Sequence, residues 1–310
     1  MAVAIDRFGG LDQLAVHDLP KPQPAADEVL IRVQAAGVGI WDSLQRQGEF
    51  SPDVPEFPLV LGAECSGVIE RVGAGVTTLH EGDAVYAYFS GKQGAYAQYV
   101  AVKAGAVAVK PASLSFIEAA AVPVDAITAH QAIVDELKLK PDEWLFVAGA
   151  AGGVGNIAVQ IAVLIGARVI ATARSANFSF LESLGLERAH LIDYTQSDVV
   201  KAVHDITGGS GADAALDAAG HNGEQTLATV RDGGRMADLT DQTLPEDRGV
   251  TVLHIESKPS AARLKTLGEL FEAGQLRVHV DRVFELAQAR AAQAAVETHH
   301  GPGKIVLSVA

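Results

Sequence analysis

The stretch "FVAGAAGGVGNIAVQIA", Phe146 to Ala162, decides how this chain folds. Trp144-Leu-Phe-Val-Ala148 is a short apolar run of the kind that forms a buried strand of a parallel sheet. After it the apolar positions change period. Val154, Ile157, Ala158, Ile161, Ala162 and Ile165 recur at i, i+3, i+4 spacing, which predicts one face of an amphipathic helix. Gly166 stands where a left-handed cap would end that helix. Between strand and helix lie Gly149, Gly152, Gly153 and Gly155.

Strand, glycine turn and helix open a dinucleotide-binding unit. The turn reads Ala150-x-Gly152-x-x-Gly155, a G-x-G-x-x-G pattern with alanine in place of its first glycine. Gly152 would let the backbone approach a pyrophosphate, and Gly155 would let the helix pack closely on the strand. Amides at the helix start would then face phosphate oxygens. A close-packed turn without a ligand is the rival reading; the strand before and helix after favour the dinucleotide.

The following strand, "ARVIATA" (Ala167–Ala173), tests which dinucleotide is bound. An acid that grips an NAD ribose would fall near its end, yet no Asp or Glu occurs between Asn156 and Leu181. The strand end reads Thr172-Ala173-Arg174-Ser175 instead. A guanidinium with a neighbouring hydroxyl suits a 2′-phosphate, so NADPH is favoured over NADH. The competing reading of Arg174 is an ordinary exposed strand end.

Further strands are expected at "HLIDY" (His190–Tyr194), "DAALDAAG" (Asp213–Gly220), "GGRMADL" (Gly233–Leu239) and "VTVLHI" (Val250–Ile255). Alternating with helical stretches such as Asn177–Leu184, they give an α/β fold with a doubly wound parallel sheet. The first 118 residues differ. They carry short β-prone runs between glycine turns, without strong helical periodicity until Ser115, and predict a mostly β domain. No internal repeat or low-complexity segment is evident apart from an alanine-rich helix around Ala287–Ala295.

Composition narrows the function classes. The 310 residues suit two domains better than one, with 48% apolar and 20% charged residues to build buried cores. The net charge of −14, with no basic stripe, argues against nucleic acid. No apolar run reaches the roughly 18 residues of a membrane span. The opening "MAVAIDRFGG" lacks the apolar core of a signal peptide, so a cytoplasmic location is expected. The single cysteine, Cys65, allows neither an internal disulfide nor a four-thiolate zinc lobe. The ten histidines suggest no metal cluster; His299-His300 are expected to face solvent and His130 to pack on a helix.

The order of these motifs resembles the medium-chain dehydrogenase/reductase superfamily, in its zinc-free quinone oxidoreductase (zeta-crystallin-like) branch. The resemblance runs the full length. It includes "DEVLIRVQAAGVG" (Asp27–Gly39), "LVLGAECSGVIERVG" (Leu59–Gly73), "GAYAQYV" (Gly94–Val100) and "AAVPVDAITAHQAI" (Ala120–Ile133). It continues through the glycine turn, "LIDYT" (Leu191–Thr195), "VRDGGRM" (Val230–Met236) and "GKIVLSV" (Gly303–Val309).

The family fold implies a chaperonin-10-like β domain over residues 1–118 and a Rossmann NADPH-binding domain over 119–262. A C-terminal segment, 263–310, would return to the first domain, with the nicotinamide in the cleft between the two. A homodimer is expected. Carried over residue by residue, Ala151, Gly152, Gly153 and Val154 would line the pyrophosphate. Arg174, Ser175 and Tyr194 would surround the 2′-phosphate, Thr128 would sit near the nicotinamide side, and Lys304 would approach the cofactor.

Departures from the family pattern concern the substrate side. Zinc-dependent relatives carry a cysteine where this chain has Gly39 or Ile40, and a histidine where it has Ala63, which leaves Glu64 without its usual co-ligands. Zinc is therefore not expected. Typical quinone reductases have asparagine at the place of Gly39 and tyrosine at that of Leu44. The acceptor pocket here is thus altered. Trp41 either lends a flat face to a planar substrate or simply packs; Asp42, or water, is conceivable as a proton donor. With no metal and no nucleophile–base pair evident, the cofactor carries the chemistry. The expected activity is NADPH-dependent reduction of a quinone or an activated alkene. A zinc-type alcohol dehydrogenase and a non-catalytic NADPH-binding protein are the alternatives.

Overall fold

Buried from its second residue onward, the run Trp144–Ala148 (β1) is an inner strand of a parallel sheet. The protein is described by a computed structural model covering residues 1–49, 56–90, 94–220, 223–240, 242–245, 248–298 and 301–309. Arg168–Ala173 (β2) and Leu191–Asp193 (β3) lie on one side of β1. Ala212–Asp217 (β4), Val230–Asp238 (β5) and Thr251–His254 (β6) lie on the other. The spatial order is β3-β2-β1-β4-β5-β6, and every neighbouring pair is parallel. This is the doubly wound arrangement, whose strand order reverses between β1 and β4. Phe146, Ile170, Ile192, Ala215 and Met236 share one apolar core in it with Val199 and Val203 of the helix Val199–Ile206.

The described residues form two compact units. One holds residues 128–257 and 301–303; the other holds the residues before 128, those from 258 to 300, and those from 304. The second of these is β-rich. Its 11-residue strand Glu28–Val38 pairs antiparallel with Glu64–Val72, Tyr99–Lys103 and the C-terminal strand Lys304–Ser308. A smaller sheet places Ala2–Ile5 between Ala15–His17 and Leu59–Val60. Val29, Ile31 and Val33 of the long strand pack with Ile305 and Leu307 in the core.

One element departs from the sequence reading. A helix runs from Ile40 to Gln47, well before Ser115. It hides from periodicity because its buried residues are Asp42, Ser43 and Arg46, while Ile40 and Trp41 are 45% and 37% exposed. Polar capping makes it: Gly39 is the N-cap, and its amide donates to the Asp42 carboxylate at 2.9 Å. Gly48, at φ 89°, closes the other end in the left-handed region that favours glycine. The buried Arg46 guanidinium donates to the Gly9 carbonyl at 2.7 Å and to Gln293 at 2.8 Å, and it pairs with Glu297. These bonds tie this helix to Ala289–Glu297, the alanine-rich helix expected near the C-terminus.

Candidate cofactor and active site

The glycine turn is built from three different steric demands. Gly149 has φ 74°, and a Cβ there would stand 2.9 Å from the Ala218 carbonyl oxygen on the loop after β4. Gly155 lies under the helix Gly153–Ile165, where a Cβ would fall 2.2 Å from the Gly149 carbonyl oxygen and 2.8 Å from Ala150 Cα. Real Cβ contacts are never so short, so only glycine lets the helix sit this close to the strand end. Gly152 is different. A Cβ there would meet one atom, the Gly149 oxygen, at an ordinary 3.4 Å. The protein does not need glycine at 152 for its own packing, and the open space is what a phosphate approaching the backbone requires.

Gly152 is also the N-cap of that helix, and the first α-type bond runs from the Asn156 amide to the Gly152 carbonyl. The amides of Gly153, Val154 and Gly155 precede it and have no partner within the helix. A helix start of this kind attracts anions. Asn156 holds the turn from behind, donating its side-chain amide to the Gly152 and Gly153 carbonyls at 2.7 and 2.8 Å. The residues present thus fit a pyrophosphate.

At the neighbouring strand ends, Arg174 Nε donates to the Tyr194 hydroxyl at 3.1 Å. Tyr194 is 44% exposed, so this pair presents a cation and a hydroxyl at the surface. Ser175 follows Arg174, and its backbone amide donates to Asp193 at 3.0 Å. Asp193, which the sequence reading did not single out, therefore stands beside the expected Arg174–Tyr194 pair.

In the β-rich unit, three charged side chains converge in the interior. Lys304 Nζ lies 2.6 Å from Glu64 and 3.1 Å from Asp125, all three buried. The second Glu64 oxygen accepts from the Val124 amide at 2.8 Å. Gly37 makes room for this cluster, since a Cβ there would fall 2.5 Å from the Glu64 carboxylate. Burial pushes the Glu64 carboxyl up to about 7, against the lowering pull of Lys304. Burial alone would pull the Lys304 ammonium down, but Asp125 and Glu64 together hold it up, so it stays charged. Asp125 Oδ2 has no hydrogen-bond partner among the described residues. Nearby in the same unit, Asp42 accepts from the Tyr96 hydroxyl at 2.8 Å, and burial pushes its carboxyl up despite that bond and the one from Gly39. Cys65 is buried, and burial drives its thiol up as well, which removes it as a nucleophile.

Comparison with known proteins follows this architecture. Residues 25–112 match the alcohol dehydrogenase GroES-like domain family, and residues 186–307 match the family described as zinc-binding dehydrogenase. A chloroplastic NADPH-dependent alkenal/one oxidoreductase of Arabidopsis thaliana is 31% identical over 97% of this chain and 77% of its own. The chain belongs to the medium-chain dehydrogenase/reductase superfamily. Among solved structures, a superfamily member described as an NAD-dependent alcohol dehydrogenase superposes with a TM-score of 0.91 at 34% identity, covering 100% of both chains. The Escherichia coli quinone oxidoreductase, solved in complex with NADPH, also superposes with a TM-score of 0.91, at 26% identity over 99% of each chain. The branch is that of the quinone oxidoreductases.

The superfamily's expected contact residues fall into separate groups. Ala151, Gly152, Gly153 and Val154 form the turn and helix start, and Arg174, Ser175 and Tyr194 lie together at the ends of β2 and β3. Thr128 is buried on the helix Pro123–His130, with His130 half-buried at that helix's end. Lys304, expected to approach the cofactor, pairs with Glu64 and Asp125. Of the acceptor-side candidates, Trp41 is partly exposed, Leu44 half-buried, and Asp42 committed to Gly39 and Tyr96. His299-His300 lie outside the described residues. No group of three or more His, Cys, Asp or Glu side chains suited to a metal ion occurs among the described residues, and no described helix is long and apolar enough to cross a membrane.

Proposed function

We propose that this chain is an NADPH-dependent reductase of small electron-poor acceptors, a quinone or an activated alkene, acting without zinc. The observation that carries this reading is Gly152, a glycine with free space in front of it at a helix N-terminus, with an exposed Arg174–Tyr194 pair at the ends of the next two strands, β2 and β3. NADPH, when bound, supplies the hydride. The turn residues Ala151–Val154 hold its pyrophosphate, Arg174 and Tyr194 hold its 2′-phosphate, and Thr128 faces its nicotinamide side. Residues 1–118 with the C-terminal segment serve as the catalytic domain, and residues 119–262 as the cofactor domain. The active form is a homodimer in the cytoplasm.

Lys304 bears on the zinc question. A Cβ at Gly39, where zinc-dependent relatives place a ligand cysteine, would stand 3.7 Å from the Lys304 ammonium. That cation already occupies Glu64, and Ala63 offers no ligand. A carbonyl would therefore lack a metal to polarise it, and acceptors that need little acid catalysis are favoured. An acceptor panel of quinones, enones, enals and saturated aldehydes, scored by loss of NADPH absorbance, tests the proposal. Turnover with quinones or conjugated alkenes supports it; turnover confined to saturated carbonyls, or none at all, overturns it.

A further inference from the structure

The end of β3 carries a charge whose place in cofactor recognition is unassigned. Register pairs Ala173 with Asp193, so the Asp193 carboxylate emerges directly beside the segment Arg174–Ser175. It accepts from the Ser175 amide at 3.0 Å, from the Thr195 amide at 3.0 Å and from the Thr195 hydroxyl at 2.6 Å. Those bonds, the Thr195 hydroxyl first, hold its carboxyl down to about 2, so it is ionised throughout the physiological range. Ser175 opens a short helical turn, and its amide directly follows Arg174 in the chain. The carboxylate already occupies it. Among the described residues, neither Arg174 nor Asp193 has an ion-pair partner. Arg188, which precedes β3, is committed to Glu182 at 3.2 Å and to the Phe178 ring. One unneutralised anion and one unneutralised cation thus flank the same strand ends.

We propose that Asp193 is a specificity-determining residue set against Arg174, which keeps the preference for a 2′-phosphorylated cofactor over its unphosphorylated counterpart modest. The proposal rests on Arg174 and Tyr194 forming the 2′-phosphate site. A dianionic phosphate drawn in by Arg174 meets the fixed charge of Asp193 and finds the Ser175 amide taken. An unphosphorylated ribose has no such charge to repel and loses nothing.

The experiment measures dissociation constants of NADPH, NADH, 2′,5′-ADP and 5′-AMP for wild type, Asp193→Asn and Arg174→Ala. Nucleotide titrations followed by calorimetry need no acceptor and no turnover. Asp193→Asn keeps an acceptor for the Ser175 amide and removes the charge. It is expected to tighten NADPH and 2′,5′-ADP by roughly tenfold at low salt, a gain that shrinks as salt rises, with NADH and 5′-AMP little changed. Asp193→Ser, shorter but still an acceptor, gives the same selectivity if Asn perturbs the turn. Equal changes for all four ligands, or none, in both Asp193 variants overturn the proposal. If Arg174→Ala still weakens only the 2′-phosphorylated pair, the phosphate site stands and the role of Asp193 alone falls. If no variant separates the two pairs, the 2′-phosphate site itself is misplaced.

Discussion

Gly152 and Gly155 differ by three positions and should fail in opposite ways when substituted. At Gly155 even a methyl group would sit 2.2 Å from the Gly149 carbonyl oxygen, a backbone atom that cannot swing aside. Overpacking of this kind costs roughly 1–3 kcal/mol, and the hard backbone contact puts Gly155→Ala toward the upper figure. At Gly152 the methyl group would sit at 3.4 Å from its nearest neighbour, with φ at −71°, a value alanine adopts freely. The fold should lose little beyond the roughly 0.5–1 kcal/mol by which glycine exceeds alanine as an N-cap. Binding is the reverse case. Gly152→Ala and, more strongly, Gly152→Val fill the space a pyrophosphate would enter, which removes affinity for NADPH and NADH alike. Thermal melts with and without each cofactor separate the two effects. Gly152→Val should melt near wild type and show no cofactor-induced rise, whereas Gly155→Ala should melt several degrees lower without any ligand. A Gly152→Val protein that keeps its rise with NADPH would refute the placement of the phosphates on this turn.

Arg174→Ala should weaken NADPH about tenfold and leave NADH nearly unchanged, taking the lower end of the roughly 1.5–3 kcal/mol for a charged hydrogen bond because the side chain is exposed; titration with both cofactors checks it. Glu64 should give stability a pH dependence opposite to that of an ordinary ion pair. With its carboxyl raised from 4.5 to about 7 by burial, the folded protein binds the proton more tightly than the unfolded chain. Stability from this group is full below pH about 4.5, declines as pH rises to about 7, and is level above, by at most on the order of 3 kcal/mol. The stability difference between wild type and Glu64→Gln should therefore fall across that window, and a flat difference would argue against a buried proton there. Purified protein should hold no stoichiometric zinc, and chelators should leave turnover unchanged; one tightly bound zinc per chain in elemental analysis contradicts this.

What the sequence made legible was local. Gly149 to Gly155 announce their turn because strand, turn and helix are contiguous, and the period change from β1 to the helix lies within twenty residues. The helix Ile40–Gln47 was illegible for a physical reason: it turns Asp42, Ser43 and Arg46 inward, so its hydrophobic pattern is inverted, and only Gly39, Asp42 and Gly48 marked its ends. The Lys304–Glu64–Asp125 cluster joins residues 240 and 179 positions apart in the chain. No spacing rule reaches that far. The family resemblance at Gly303–Val309 singled out Lys304, but not the carboxylates that hold it. Asp193 stood in plain view within "LIDYT", yet its importance depends on the parallel register that sets it beside Ala173. Sequence supplied the residue, and the sheet supplied its neighbour.

Hydride leaving NADPH for a quinone or a conjugated alkene with no metal present is tested most directly by a single turnover: metal-stripped protein loaded with less than one equivalent of NADPH is mixed with acceptor in the presence of chelator. The absorbance of the reduced nicotinamide and the reduced product are then followed together. Loss of one NADPH for each molecule of hydroquinone or saturated carbonyl product formed is the expected result. NADPH that stays reduced with both acceptor classes, or is consumed only after zinc is restored, contradicts metal-free hydride transfer.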